Sequence, residues 1–167
     1  MSAALHYLAL AGFAGLMVVA AFEDFRRFTI PNWLTASMVA LWPAHLVAAP
    51  SLAAAIGGVC CGLAVFLVGA FLFARGYIGG GDVKLLAAAV LWAGPAGVMP
   101  LLIVTGLLGG VLALILVSPA GAYLIAGARA QLGAGGGPDK AIASTPVPYG
   151  IAIALASLIV VLPPQLS

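Results

Sequence analysis

Charge is what this chain has least of. Only ten of its 167 residues are Lys, Arg, Asp or Glu, a 6% share, where a soluble domain carries roughly 25%. Mean hydropathy is +1.26. A water-soluble domain is excluded, and the composition is that of an integral membrane protein. The net charge of +2 reads as a topology signal and does not point to nucleic acid as a partner. Cysteine is also scarce. Cys60 and Cys61 are adjacent in an apolar stretch, which is neither a CxxC metal pair nor a disulfide spacing. Both read as filler at a helix interface.

The charges that are present fall into three clusters: Glu23, Asp24, Arg26 and Arg27; Arg75, Asp82 and Lys84; Arg129, Asp139 and Lys140. A helix needs roughly 20 apolar residues to cross a bilayer. Residues 1–22 fit one span, 28–74 two, 85–128 two more and 141–167 one. The expected fold is therefore an all-α, polytopic membrane bundle of six transmembrane helices, forming one domain over residues 1–167. Two spans between successive clusters bring the chain back to the same side each time. All Lys and Arg then share one face, which the positive-inside rule makes cytoplasmic, with both termini outside. Residues 1–22 lack a basic n-region and read as a retained first helix rather than a signal peptide.

Helix 1 is expected over about 3–22, followed by a short loop to Pro31. Pro31-Asn32 opens helix 2, which ends near Pro43 to Pro50, since proline suits a first turn and a stop. Helix 3 covers Leu52 to Ala74. A glycine-rich loop, Arg75 to Asp82, precedes a short helix 4 that stops at Gly94-Pro95. Helix 5 covers Val98 to Val117, and helix 6 follows Pro148 and ends before Pro163. The stretch 118–145 is harder to read: its start is apolar, and its glycine-rich middle, Gly133 to Pro138, is expected to be flexible. Gly106 and Gly110 stand at GxxxG spacing and are expected to pack helix 5 on a neighbour. No internal repeat is visible, which speaks against a transporter built on inverted halves.

Two acids stand at the feet of long apolar segments, where acids are costly and call for a function. Asp24 closes helix 1 and Asp82 opens helix 4 on the same face, so packing of the two helices brings them level. Close carboxylates do not both ionise easily and come to hold one shared proton. The charged member can then activate water while the protonated member polarises a carbonyl, which is peptide hydrolysis without a cofactor. Gly79, Gly80 and Gly81 offer positive φ and a bare backbone for a bound peptide. The bland alternatives are a helix N-cap for Asp82 and a solvated ion pair with Arg26 or Arg27 for Asp24.

The run Asp24-Phe-Arg-Arg-Phe-Thr-Ile-Pro31-Asn32, followed by Gly79-Gly80-Gly81-Asp82-Val83-Lys84-Leu85-Leu86 and a late Pro148-Tyr149-Gly150, resembles the type IV prepilin peptidase family, bacterial GxGD aspartyl proteases. In length the chain is similar to the short type that serves Flp and tight-adherence pili. The resemblance implies Asp24 and Asp82 as the catalytic aspartates, prepilins or pseudopilins as substrates, and a pilus assembly machinery as neighbour. It implies cleavage of the N-terminal leader at the cytoplasmic face of the inner membrane. Larger members carry an insert with paired CxxC motifs. This chain has none, so neither zinc nor S-adenosylmethionine-dependent methylation is expected, and no cofactor.

Glu23 points about 100° away from Asp24 on a helix, so one of the two faces the pair; the resemblance favours Asp24. Glu23 and the acids themselves are then candidates for binding a basic leader. Lys84 either contacts substrate or snorkels to the interface. Arg26 and Arg27 set topology. Asp139 reads as a solvated loop charge. His6 and His45 fall on the side opposite the acids, as interfacial residues. Tyr149 is an interface anchor or a substrate contact. Two other functions compete: a proton-coupled carrier, which expects midplane acids on several helices, and a non-catalytic subunit of a membrane assembly.

Overall fold

The structure is a computed structural model that describes residues 2–46, 52–132 and 147–166. Within these residues it is all-helical: α1 (Ser2–Arg27), α2 (Asn32–Leu46), α3 (Leu52–Ala74), α4 (Gly80–Val117), α5 (Pro119–Gln131) and α6 (Tyr149–Leu166). Three of them, α1, α3 and α4, are long and apolar enough to cross a membrane. The exposed surface agrees. On α3 only Gly58 and Gly62 are buried, while Leu52, Leu63, Phe66, Leu67, Val68, Phe71 and Phe73 lie outward. In water a patch of this size would associate; against lipid it is the natural exterior.

Two helices supply most of the core. Along α1 the residues His6, Leu10, Phe13, Met17, Ala20 and Asp24 are all buried, a three- and four-residue spacing that defines one face. On α4 the residues Leu85, Ala88, Ala89 and Trp92 are buried in the same core. The Phe13 ring stacks on Trp92 with centroids 4.5 Å apart. Trp92 Nε1 donates to the Met38 carbonyl of α2 at 3.0 Å, so the indole is packed and hydrogen-bonded together.

α4 is 38 residues long, and it is not straight. Gly94 has φ 63°, ψ −178°, a conformation essentially confined to glycine. Asp82 and Thr105 line one cavity, yet 23 residues of straight helix would hold them about 35 Å apart. The chain therefore turns back at Gly94, giving a first arm, 80–93, and a second arm, 95–117. The sequence pattern predicts two helices with a gap up to Val98. The break is where proline and glycine place it, but helix resumes at once and no loop intervenes.

α3 packs along the first arm through its glycines. A Cβ on Gly62 would stand 3.2 Å from the Ala87 carbonyl oxygen, and one on Gly69 would stand 2.6 Å from Val83. Small residues thus let the two backbones close up where apolar side chains gain nothing by leaving lipid. Cys61 packs against the core and Cys60 is exposed. The expected Gly106–Gly110 contact is not made among the described residues, where both positions face open space. Gly109 is the residue that packs, against the Tyr149 ring of α6.

Helix ends differ from expectation in three places. α1 does not stop at Phe22; it runs on to Arg27, so the first charge cluster is helical. It ends at Phe28, whose φ of 52° is left-handed and whose N–H bonds the Asp24 carbonyl at 2.9 Å. α5 forms where no helix is evident from composition. Ser118 Oγ accepts from the Gly121 N–H at 3.1 Å, an N-cap with Pro119 in the first position. α6 continues through Pro163 rather than ending before it. Asp139, Lys140 and the centre of the 118–145 stretch lie outside the described residues.

Candidate active site

Asp24 is at the end of the buried stripe of α1 and is only 4% exposed. A carboxyl group there continues an apolar face into a polar site. The N–H of Gly150 donates to Asp24 Oδ2 at 2.8 Å, a buried bond between residues 126 positions apart. Gly150 is in the first turn of α6, so the carboxyl sits at a helix N-terminus, which favours an anion. A Cβ on Gly150 would come within 2.9 Å of Asp24 Cβ and Cγ. Glycine is required here by space alone.

The second acid is delivered by the turn between α3 and α4. Gly76, at φ 77°, closes α3. Its N–H bonds the Phe73 carbonyl at 2.9 Å and the Tyr77 N–H bonds the Leu72 carbonyl at 3.0 Å, the two bonds of a Schellman motif. Gly79 is the N-cap of α4, in extended conformation at φ −69°, ψ 138°. Gly80, Gly81 and Asp82 are already helical. Asp82 is thus not the N-cap but stands in the first turn. The positive φ expected of the glycine run is absent from it; what the run supplies is room. A Cβ on Gly79 would lie 2.8 Å from Asp82 Oδ2, and one on Gly81 would lie 3.3 Å from Ile30.

The Gly81–Ile30 approach brings the two conspicuous sequence segments together. A second link crosses the same gap: Lys84 Nζ donates to Asn32 Oδ1 at 2.9 Å. The result is a cavity of about 750 Å³ lined by Asp24, Phe28, Thr29, Ile30, Gly79, Gly80, Gly81 and Asp82. Val65, Leu86 and Ile153 form apolar wall, and Thr105 and Tyr149 complete it. Both acids thus line one cavity, Asp24 from the end of α1 and Asp82 from the first turn of α4.

Of the residues the sequence singles out, the structure brings Asp24, Asp82, Gly79, Gly80 and Gly81 together, with Tyr149 beside them. It does not bring Glu23 or Lys84 into the cavity. Glu23 pairs instead with Arg27, at 3.3 Å one turn along α1. Lys84 is held by Asn32 and borders a separate, apolar groove between α2 and α3. Arg26 lies over the Phe22 ring and Arg75 over the Phe71 ring. His6 and His45 stack together at 4.8 Å, away from the acids. Among the described residues no group of three or more His, Cys, Asp or Glu converges as a metal site.

The model of one family, the type IV leader peptidases, matches residues 11–114. The chain belongs to the type IV leader peptidase family. The matched stretch runs from α1 into the second arm of α4, so both acids and the glycine turn of this leader peptidase lie inside it. α6, which brings Gly150 to Asp24, lies beyond it. No curated protein and no solved structure matches the chain. As a leader peptidase the molecule is a membrane-embedded protease, and the acid-lined cavity is its candidate centre. Sequence reasoning overlooked Gly150, Phe28 and Thr105. Gly150 was visible as part of Pro-Tyr-Gly, but its task depends on a contact 126 residues away.

Proposed function

We propose that this leader peptidase is an aspartic endopeptidase that removes the N-terminal leader of type IV, Flp-like prepilins. The observation that carries the reading is the arrival of two carboxyl groups, from α1 and from the first turn of α4, at one cavity that also holds apolar wall. Asp24 receives the Gly150 N–H and the α6 N-terminus, so it is the member that carries the charge and takes a proton from water. Asp82 is the protonated partner, giving its proton to the oxygen of the scissile carbonyl as water adds to the carbon. Collapse of that adduct passes a proton to the leaving amine. The glycine turn leaves space for the substrate backbone, and the apolar wall suits the start of a pilin's hydrophobic helix.

In this reading α1, α2, α3, the two arms of α4 and α6 are the six membrane segments, with both termini outside. Arg26, Arg27 and Lys84 sit with Asp24 and Asp82 at one end of the bundle, and Arg75 follows α3 there. The positive-inside rule then sets the acids at the cytoplasmic face of the inner membrane. A proton-coupled carrier fits less well, because the described acids, Glu23, Asp24 and Asp82, all lie at that one end and none at mid-helix.

The test is cleavage of a prepilin by the full-length protein in membranes. Asp24→Asn and Asp82→Asn should each lower the rate by about a thousandfold or more, the scale of losing a group at the reacting bond, with insertion and folding intact. Near wild-type processing by either variant would sink the assignment. Glu23→Gln should keep most of the activity, since Glu23 is turned toward Arg27.

A further inference from the structure

One polar group in the cavity has no hydrogen-bond partner among the described residues. It is the hydroxyl of Thr105, a residue in the second arm of α4 that is 7% exposed. A threonine in an apolar helix ordinarily donates back to the carbonyl one turn earlier; this one does not. Its side chain lines the cavity that holds Asp24 and Asp82. Gly109, one turn further on, is in contact with the Tyr149 ring, which lines the same cavity as Thr105 and Asp24. A buried hydroxyl with an unused donor is costly unless something entering the site accepts from it. An extended peptide offers backbone carbonyl oxygens for that purpose, and the glycine turn that lines the same cavity leaves room for its backbone.

We propose that Thr105 donates a hydrogen bond to a backbone carbonyl of the peptide substrate and so positions the scissile bond over the acid pair. The inference rests on the reading of Asp24 and Asp82 as the catalytic pair. It assigns a substrate contact to a helix whose composition otherwise reads as lipid-facing and core.

Thr105→Val keeps the shape and removes the hydroxyl. It should lower kcat/KM for a prepilin peptide about tenfold, the worth of one hydrogen bond. Thr105→Ser, which keeps the donor, should restore most of that loss. The thermal unfolding midpoint of Thr105→Val should match or exceed that of the parent, because no intramolecular bond is lost. Binding of the same peptide to the inactive Asp82→Asn protein should weaken similarly when Thr105→Val is added. Unchanged cleavage and binding in Thr105→Val would overturn the proposal. So would a joint fall of activity and unfolding midpoint that Thr105→Ser does not repair, which is the mark of a packing role. Full activity in Asp24→Asn or Asp82→Asn would instead refute the acid pair, and the cleavage rates of Thr105→Val and Thr105→Ser against the parent would still judge Thr105.

Discussion

The two ends of the bundle are built on opposite plans. At one end, His6, His45, Trp92 and Phe13 form a filled stack, with successive ring centroids 4.8, 5.0 and 4.5 Å apart and the indole N–H satisfied by a backbone carbonyl. At the other, glycines, two acids and a hydroxyl with no partner among the described residues surround open volume. Both ends draw on the same helices, α1 and the first arm of α4. The contrast teaches where this fold keeps its stability and where it gives stability up. Apolar burial and aromatic packing fasten one end, so the other can hold groups that are costly in lipid surroundings.

Substitutions at the two ends should therefore separate activity from stability. The largest effect is expected from the acid variants already described, which leave the stack untouched and should leave the unfolding midpoint near that of the parent. Gly150→Ala comes next. Its methyl group cannot coexist with Asp24 in place, and displacing a carboxyl group by about 1 Å costs on the order of a hundredfold in rate. Trp92→Ala should reverse the pattern, lowering stability by about 3–5 kcal/mol through a cavity, while kcat per folded molecule changes little. Loss of activity per folded molecule equal to that of Gly150→Ala would show that the ends are not independent. The smallest effect is expected from Lys84→Met. The Asn32 contact is exposed, so a shift of well under about 1 kcal/mol is expected, read by thermal unfolding in detergent.

Much of this was legible in the residues. α3 occupies Leu52–Ala74 as its apolar run predicts, and the break at Gly94-Pro95 is visible from composition. The charge clusters locate Asp24 and Asp82 because charge is rare. The spacing His6, Phe13, Met17, Ala20, Asp24 held a further signal: the acid shares the buried face and Glu23 does not. Other features were not local. α5 depends on a Ser118 cap in a stretch whose glycine and alanine content hides it. The glycine run suggests flexible φ, yet its job is spatial, set by Ile30 and by Asp82 itself. Thr105 gives no sign at all, since threonine in an apolar helix normally satisfies itself.

The break at Gly94 acts as the pivot of a compass. The first arm carries Asp82 about 18 Å from that pivot at 1.5 Å per residue. A rotation of about 5° there would swing the carboxyl group by roughly 1.6 Å, enough to take it out of register with Asp24. The hinge backbone lies where essentially only glycine is stable, next to Gly58 of α3 and two residues from Trp92 of the aromatic stack. The independence of the two ends therefore holds only while the Gly94 backbone stays fixed, because a small change at a residue that takes no part in the chemistry is multiplied at the acid pair.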